Sequence, residues 1–134
     1  MIPGAMGIIL DDDSEIAYDA LVLAAGSRIA IDMIPGFQEA VDSGSADHYY
    51  ATAAAASAHG ALSKFISGKL VFLITCQPFR RPVAPYEGAL LAADLLRENG
   101  TRAYTQIAVY TPEAQPMPSA GPYAGQELIS NAQC

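Results

Sequence analysis

The chain has 134 residues, enough for one domain that buries roughly two-thirds of its unfolded surface. Its residues are 51% hydrophobic and 16% charged, which is more apolar than an ordinary soluble domain and suggests faces that something else covers. The net charge is −7 and no stretch gathers lysine and arginine, so a nucleic-acid partner is not expected.

The first residues, MIPGAMGIILDDDSE, lack the basic region of a secretory signal. No apolar segment reaches the roughly 18 residues that a membrane span needs. These features predict a cytoplasmic protein.

The first predicted elements form a hairpin. Gly7 to Leu10 is a short strand, and the acids that follow are contiguous, unlike the spaced acids of a calcium loop, so they predict a solvated turn. The apolar run from Ile16 to Ser27 ends in small residues. It predicts a buried strand that enters a tight glycine turn.

The middle of the chain is predicted to be helical. A polar stretch from Gly36 to about Asp47 favours a surface loop with a short helix, and the alanine-rich stretch from Tyr50 to Ser67 favours a longer one, with Gly68 as its stop. The apolar residues of the longer stretch that share one helical face are Ala54, Ala58, Ala61, Leu62 and Phe65.

The last predicted elements alternate between strand and helix. Lys69 begins a central parallel strand that Pro78 ends, a helix runs from Pro85 to Gly100, and a strand covers Tyr104 to Tyr110. This order predicts an α/β fold, a Rossmann-like three-layer unit with right-handed crossovers.

Ligands in such sheets bind beyond the carboxyl ends of the strands. The turn Ala24 to Ser27 and the loop Gln77 to Pro85 are the two predicted places. Prolines at 78, 82 and 85 stiffen the second loop and remove amide donors, so it cannot form a glycine cradle for a phosphate. The sequence also contains neither GxGxxG nor GxxxxGK[ST].

The two cysteines and two histidines do not predict a metal site. Cys76 and Cys134 are far apart, without CxxC or Cys/His ligand spacing, so neither a disulfide framework nor a zinc site is expected. His48 and His59 lie about three turns apart along a predicted helix, too far for one metal ion. Cys76 is expected to be a buried, inert thiol rather than a redox group.

Several segments together resemble a family of flavoproteins. YDALVLAAGS (18–27) resembles the YDxLVxATG segment of flavoproteins with two dinucleotide folds, and DMIPGF (32–37) resembles their linker. The stretch 69–100, which contains APYE, and TPEAQPMPSAGP (111–122) look like the second domain of proteins related to sulfide:quinone oxidoreductase and the flavin subunit of flavocytochrome c sulfide dehydrogenase.

The resemblance implies an FAD-dependent oxidoreductase that passes electrons from a small reductant, such as a sulfur species, to a quinone or a cytochrome. It places FAD against the turn formed by Ala24, Ala25 and Gly26, where small residues permit close approach of the backbone. The cofactor-binding residues that it implies are Ala24, Ala25, Gly26, Ser27, Pro82 and Pro85. The full-length relative would be cytoplasmic or peripheral to the inner membrane.

Arg81 marks a departure from the family. It stands where many relatives carry a redox cysteine near the flavin, and an arginine cannot serve as a thiolate nucleophile. Arg81 is therefore the candidate catalytic position, either as a site for an anionic substrate or reduced flavin, or as a solvent-facing loop residue.

The extent of the resemblance is a second departure. Relatives begin with a GxGxxG that holds the FAD pyrophosphate and end with a Gly-Asp segment, and this chain has neither. We expect residues 1–36 to be the end of an FAD domain with its linker and 37–134 an incomplete second domain. We therefore expect no tight FAD binding by this chain alone.

Two other functions stay open from the sequence. The chain could be a non-catalytic α/β module that self-associates or binds a partner through an exposed sheet edge and its alanine-rich helix. It could also bind a nicotinamide cofactor, as type II NADH dehydrogenases do, although the proline-rich loop argues against this.

Overall fold

The computed structural model describes residues 6–132. Within them it is a mixed α/β structure with four strands and four α-helices. The elements are β1 (Met6–Ile9), β2 (Glu15–Tyr18), α1 (Phe37–Asp42), α2 (Thr52–Ser63), β3 (Gly68–Leu73), α3 (Ala84–Glu98), β4 (Thr105–Tyr110) and α4 (Pro122–Ala132). Short 3-10 helices cover Ile31–Met33, Arg102–Tyr104 and Pro118–Ala120.

The predicted hairpin is confirmed. Strands β1 and β2 pair antiparallel, with Met6 opposite Tyr18 and Ile9 opposite Glu15. The acidic turn closes through Asp12, whose Oδ1 accepts hydrogen bonds from the backbone N–H and the hydroxyl of Ser14. Such a local side-chain bond is the usual way an Asx turn is stabilised.

The prediction of a buried strand from Ile16 to Ser27 is wrong beyond Tyr18. Residues 21–30 form no regular element, and the side chains of Val22 and Leu23 are 86% and 84% exposed. Within residues 6–132, β2 pairs with β1 alone, and no third strand pairs with the apolar run. An apolar pattern signals a strand only where another strand supplies backbone partners.

The two predicted middle helices are confirmed as α1 and α2, with one wrong boundary. Helix α2 ends at Ser63, not at Gly68, which instead begins β3 with φ of 120°. The turn after the helix is closed earlier by a hydrogen bond from Phe65 N–H to Leu62 O at 3.1 Å. On the predicted face, Ala61 is exposed and the other four residues are half-buried.

Strands β3 and β4 are the predicted parallel pair. Their register runs from Gly68 opposite Thr105 to Leu73 opposite Tyr110. Pairing extends slightly further, because Ile74 N–H donates to Tyr110 O at 2.9 Å. Regular β3 nevertheless stops at Leu73 and not at Pro78 as predicted.

The core is centred on α3, which packs against β3, β4 and α2. Its buried residues include Ala92 and Leu96, four apart on one helical face, and Leu96 is fully buried. Gly88 lets the helix approach closely, because a Cβ there would lie 3.0 Å from both the Phe72 ring and the Tyr49 hydroxyl.

The predicted end of α3 at Gly100 is confirmed. Gly100 has φ of 72°, and its N–H donates to Arg97 O at 3.1 Å. Thr101 N–H then donates to Leu96 O at 2.8 Å. These two bonds form a Schellman motif, which satisfies carbonyls that the end of a helix leaves open.

The fold class is therefore α/β at the coarse level. The order β3, α3, β4 with parallel strands agrees with the prediction, but each sheet in residues 6–132 has two strands, and a Rossmann-like three-layer unit is not established. The division at residue 36 stays a prediction. Among the described helices, none is both long enough and apolar enough to cross a membrane.

Candidate functional site

An open cleft of about 360 Å³ lies where the loops after β3 and β4 meet. Parallel strands place their carboxyl ends at one edge of the sheet, which is why these two loops are adjacent. The residues that line the cleft are Gln77, Pro78, Phe79, Pro82, Glu113, Pro118 and Ser119. The cleft borders the proline loop, one of the two predicted places, and the function of that loop as a binding site stays a prediction.

Glu113 supplies the acidic group of the cleft. Its Oε2 accepts hydrogen bonds from the Tyr86 hydroxyl at 2.5 Å and from the Thr111 hydroxyl at 3.0 Å. The backbone N–H of Glu113 in turn donates to Thr111 Oγ1 at 3.1 Å. These bonds fix the carboxylate, because both side-chain donors come from residues anchored in α3 or directly after β4.

Tyr86 joins the start of α3 to this acidic group. The residue is buried, and that burial, followed by its hydrogen bond to the Glu113 carboxylate, raises the pKa of the Tyr86 hydroxyl. The hydroxyl therefore stays protonated and remains a donor over a wide pH range. Tyr86 belongs to the APYE segment, and Glu113 belongs to the segment that contains PMPSAGP.

A pair of tyrosines holds the loop between β3 and α3. The hydroxyl of Tyr49 donates to Ala84 O at 3.0 Å, and that of Tyr50 donates to Arg80 O at 3.3 Å. The two rings stack, with centroids 5.4 Å apart and planes at 14°. One tyrosine binds each end of the segment from Arg80 to Ala84. The pair therefore holds this loop against the residues that precede α2.

The predicted loop residues differ in their surroundings. Pro82 lines the cleft, whereas Pro85 is buried in the first turn of α3 and does not line it. Arg81 is exposed and has φ of 57°, and its carbonyl accepts the Ala84 N–H at 2.9 Å. A left-handed backbone at a non-glycine residue carries strain, which the surrounding hydrogen bonds hold in place.

The predicted FAD turn does not lie at the cleft. Ala24, Ala25, Gly26 and Ser27 are all exposed, and a Cβ built on Gly26 would meet nothing within 4 Å. Within residues 6–132, these four residues lie on an open surface and form no cradle by themselves. The placement of FAD against this turn stays a prediction.

Cys76 is exposed, so its predicted burial is wrong. The reason is that β3 ends before it, and the residue lies in the loop instead of in the sheet. Cys134 lies outside the described residues. Among residues 6–132, no group of three or more histidine, cysteine, aspartate or glutamate side chains is arranged to hold a metal ion.

Two features of the site were not predicted from the sequence. Glu113 could have been predicted by the rule that ligands bind beyond the carboxyl ends of parallel strands, because Glu113 follows β4 as the proline loop follows β3. The role of Tyr49 and Tyr50 had no comparable signal, since their partners are backbone carbonyls at least 30 residues away.

Comparison of the chain with models of known protein families, with curated proteins and with solved structures finds no significant match.

Proposed function

We propose that the chain is part of an FAD-dependent oxidoreductase of the sulfide:quinone type. Such an enzyme passes electrons from a small reductant, such as a sulfur species, to a quinone or a cytochrome. The bound flavin supplies the redox chemistry, and its pyrophosphate is held by a glycine-rich segment that this sequence does not contain.

The observation that carries the proposal is the hydrogen bond between Tyr86 and Glu113. The two segments on which the resemblance depends most, APYE and PMPSAGP, are separated along the chain, yet they border one cleft at the carboxyl edge of a parallel sheet. Active sites of α/β proteins form at such edges. Arg81 lies in the loop between β3 and α3, is exposed and does not line the cleft, so an anionic reductant would meet its charge outside the cleft.

The exposed apolar run around Val22 and Leu23 also supports the proposal. Large apolar side chains that are more than four-fifths exposed are rarely left in water in clusters. A flavin domain that contains this run as a strand would cover it. The same run would also suit the second candidate function, a non-catalytic module whose second copy covers it.

The proposal is tested on the complete reading frame that encodes this chain. We expect the frame to encode a GxGxxG segment upstream, and its product to be yellow and to reduce a soluble quinone with sulfide. In that product, Gly26→Ala should lower FAD content severalfold, because a Cβ would obstruct the cofactor. Gly36→Ala is the matched control, since Gly36 has the same φ of 77° and an equally open environment.

Two results would contradict the proposal. One is a complete frame with no glycine-rich dinucleotide segment, whose product stays colourless after incubation with FAD. The other is an equal loss of flavin in the Gly26 and Gly36 variants, which would mean that backbone strain and not cofactor contact explains the effect.

A further inference from the structure

The carboxylate of Glu113 has one oxygen engaged and one open. Tyr86 and Thr111 both donate to Oε2. Among the described residues, no donor forms a hydrogen bond with Oε1. Oε1 is also not fully buried. The carboxylate is therefore held through Oε2, Oε1 keeps contact with solvent, and Glu113 lines the cleft.

Within residues 6–132, no ion pair joins a basic side chain to this carboxylate. The ion pairs formed within residues 6–132 are Arg28 with Asp32 and Arg97 with Asp94, both on the surface and distant in sequence from the cleft. Arg80 and Arg81 lie in the neighbouring loop, but neither forms an ion pair with Glu113. The chain as a whole is also anionic, with a net charge of −7, which favours approach of a cation.

The side chains that line the cleft around Glu113 are mainly apolar rings. Pro78, Phe79, Pro82 and Pro118 line the cleft together with Glu113, and the loop that bears the first three is held by the stacked tyrosines. Flat apolar walls pack well against a planar ring. A charged donor gives a carboxylate in such surroundings a stronger hydrogen bond than a neutral donor does.

We propose that this cleft binds an aromatic cation, with the ring against Phe79 and the prolines and the cationic N–H groups on Glu113 Oε1. An amidinium or guanidinium fits best, because its parallel N–H donors match a carboxylate. This preference does not depend on the proposed flavin chemistry, because it concerns only which small molecules the cleft accepts.

The test uses benzamidine as the probe and titration monitored by NMR of the chain. We expect benzamidine to shift signals of Phe79 and Ser119, and benzyl alcohol, which has the ring without the charge, to bind roughly tenfold more weakly. Glu113→Gln should weaken benzamidine binding by about tenfold and leave benzyl alcohol binding unchanged. Its amide oxygen can still accept the bonds from Tyr86 and Thr111, so the fold should persist.

Glu98→Gln is the matched control. Glu98 is exposed at the end of α3, and its replacement changes the net charge by the same amount without touching the cleft. The proposal is overturned if benzamidine shifts signals elsewhere or none at all, if the two glutamate variants weaken it equally, or if benzyl alcohol binds as tightly. Thermal unfolding of both variants shows whether Glu113→Gln has retained its structure.

Discussion

At the residue scale, Tyr49 and Tyr86 show how a hydroxyl can be held in place by tertiary structure. Tyr49 lies against α3 at Gly88, and Tyr86 is part of α3. Each hydroxyl has a partner distant in sequence, Ala84 O for Tyr49 and Glu113 for Tyr86. Burial makes ionisation of both hydroxyls harder, and it raises the pKa of Tyr49 to about 12. At neutral pH both hydroxyls are therefore protonated and available as hydrogen-bond donors.

The raised pKa of Tyr49 predicts a loss of stability in alkaline solution. Folding raises the pKa of this hydroxyl from its ordinary 10.0 to about 12, so the unfolded state loses its proton first. Its contribution is fully present below pH 10 and is lost as the pH rises toward 12. Urea unfolding of wild type and Tyr49→Phe from pH 8 to 12 should show the wild-type advantage shrinking over that window.

Tyr104→Phe is the control for this pH series, because the Tyr104 side chain is 70% exposed. The comparison of Tyr104→Phe with wild type measures the effect of removing an exposed tyrosine hydroxyl over the same pH range. A difference between wild type and Tyr49→Phe that also stays constant would contradict the assignment of the alkaline transition to Tyr49.

At the scale of elements, two helical glycines differ in the space around the position of a Cβ atom. Gly125 in α4 is buried, and a Cβ there would overlap the carbonyl oxygen of Pro116. Gly60 in α2 has nothing within 4 Å of its Cβ position. The same substitution should therefore have opposite effects at the two positions.

We expect Gly125→Ala to lower the free energy of unfolding by about 1 to 3 kcal/mol, because backbone must move to relieve the overlap. Gly60→Ala should raise it by about 0.5 to 1 kcal/mol, because alanine is the better helix former. Urea unfolding measures both. Stabilisation of the chain by Gly125→Ala would mean that α4 does not pack against the segment at Pro116.

The strands at this scale explain which sequence predictions failed. Both predicted apolar runs have strand-like composition, but only β3 finds a parallel neighbour, β4, and a covering helix, α3. The run at Leu21–Leu23 has neither within the described residues. A strand needs partners for its backbone groups, which no local pattern can supply.

At the scale of the whole molecule, the small core contrasts with a large exposed apolar surface. Within residues 6–132, the buried apolar residues of the core are Ile74, Ala84, Pro85, Tyr86, Ala92 and Leu96. By contrast, Val22, Leu23, Ile66 and Tyr104 are each at least 70% exposed. Such an imbalance is typical of a surface that is covered in the functional assembly. The two candidate functions differ in what covers it.

Sedimentation velocity over a range of concentrations separates these candidates. If a second copy covers the run, the sedimentation coefficient should rise with concentration, and the double substitution Val22→Asp, Leu23→Asp should abolish the rise. The unfolding free energy should change by less than about 0.5 kcal/mol, because both side chains are exposed. Tyr123→Asp, at an 85% exposed position in α4, is the control.

A monomer at every concentration would remove the support for self-association and leave the proposal of a missing flavin domain as the better account of the exposed run. Association that persists in the double variant but is lost in Tyr123→Asp would place the contact on α4 instead.

The sequence by itself determined the elements whose cause is local. The turn at Asp12, the helix ending at Gly100 and the alternation of β3, α3 and β4 follow from side chains and glycines within a few residues of each other. The rule that parallel strands place their carboxyl ends together predicted the loop Gln77 to Pro85 as one of two candidate places, and the cleft borders that loop. Only the tertiary structure decided which apolar run was buried and which groups met Tyr86, Tyr49 and Tyr50, since those contacts join segments far apart along the chain.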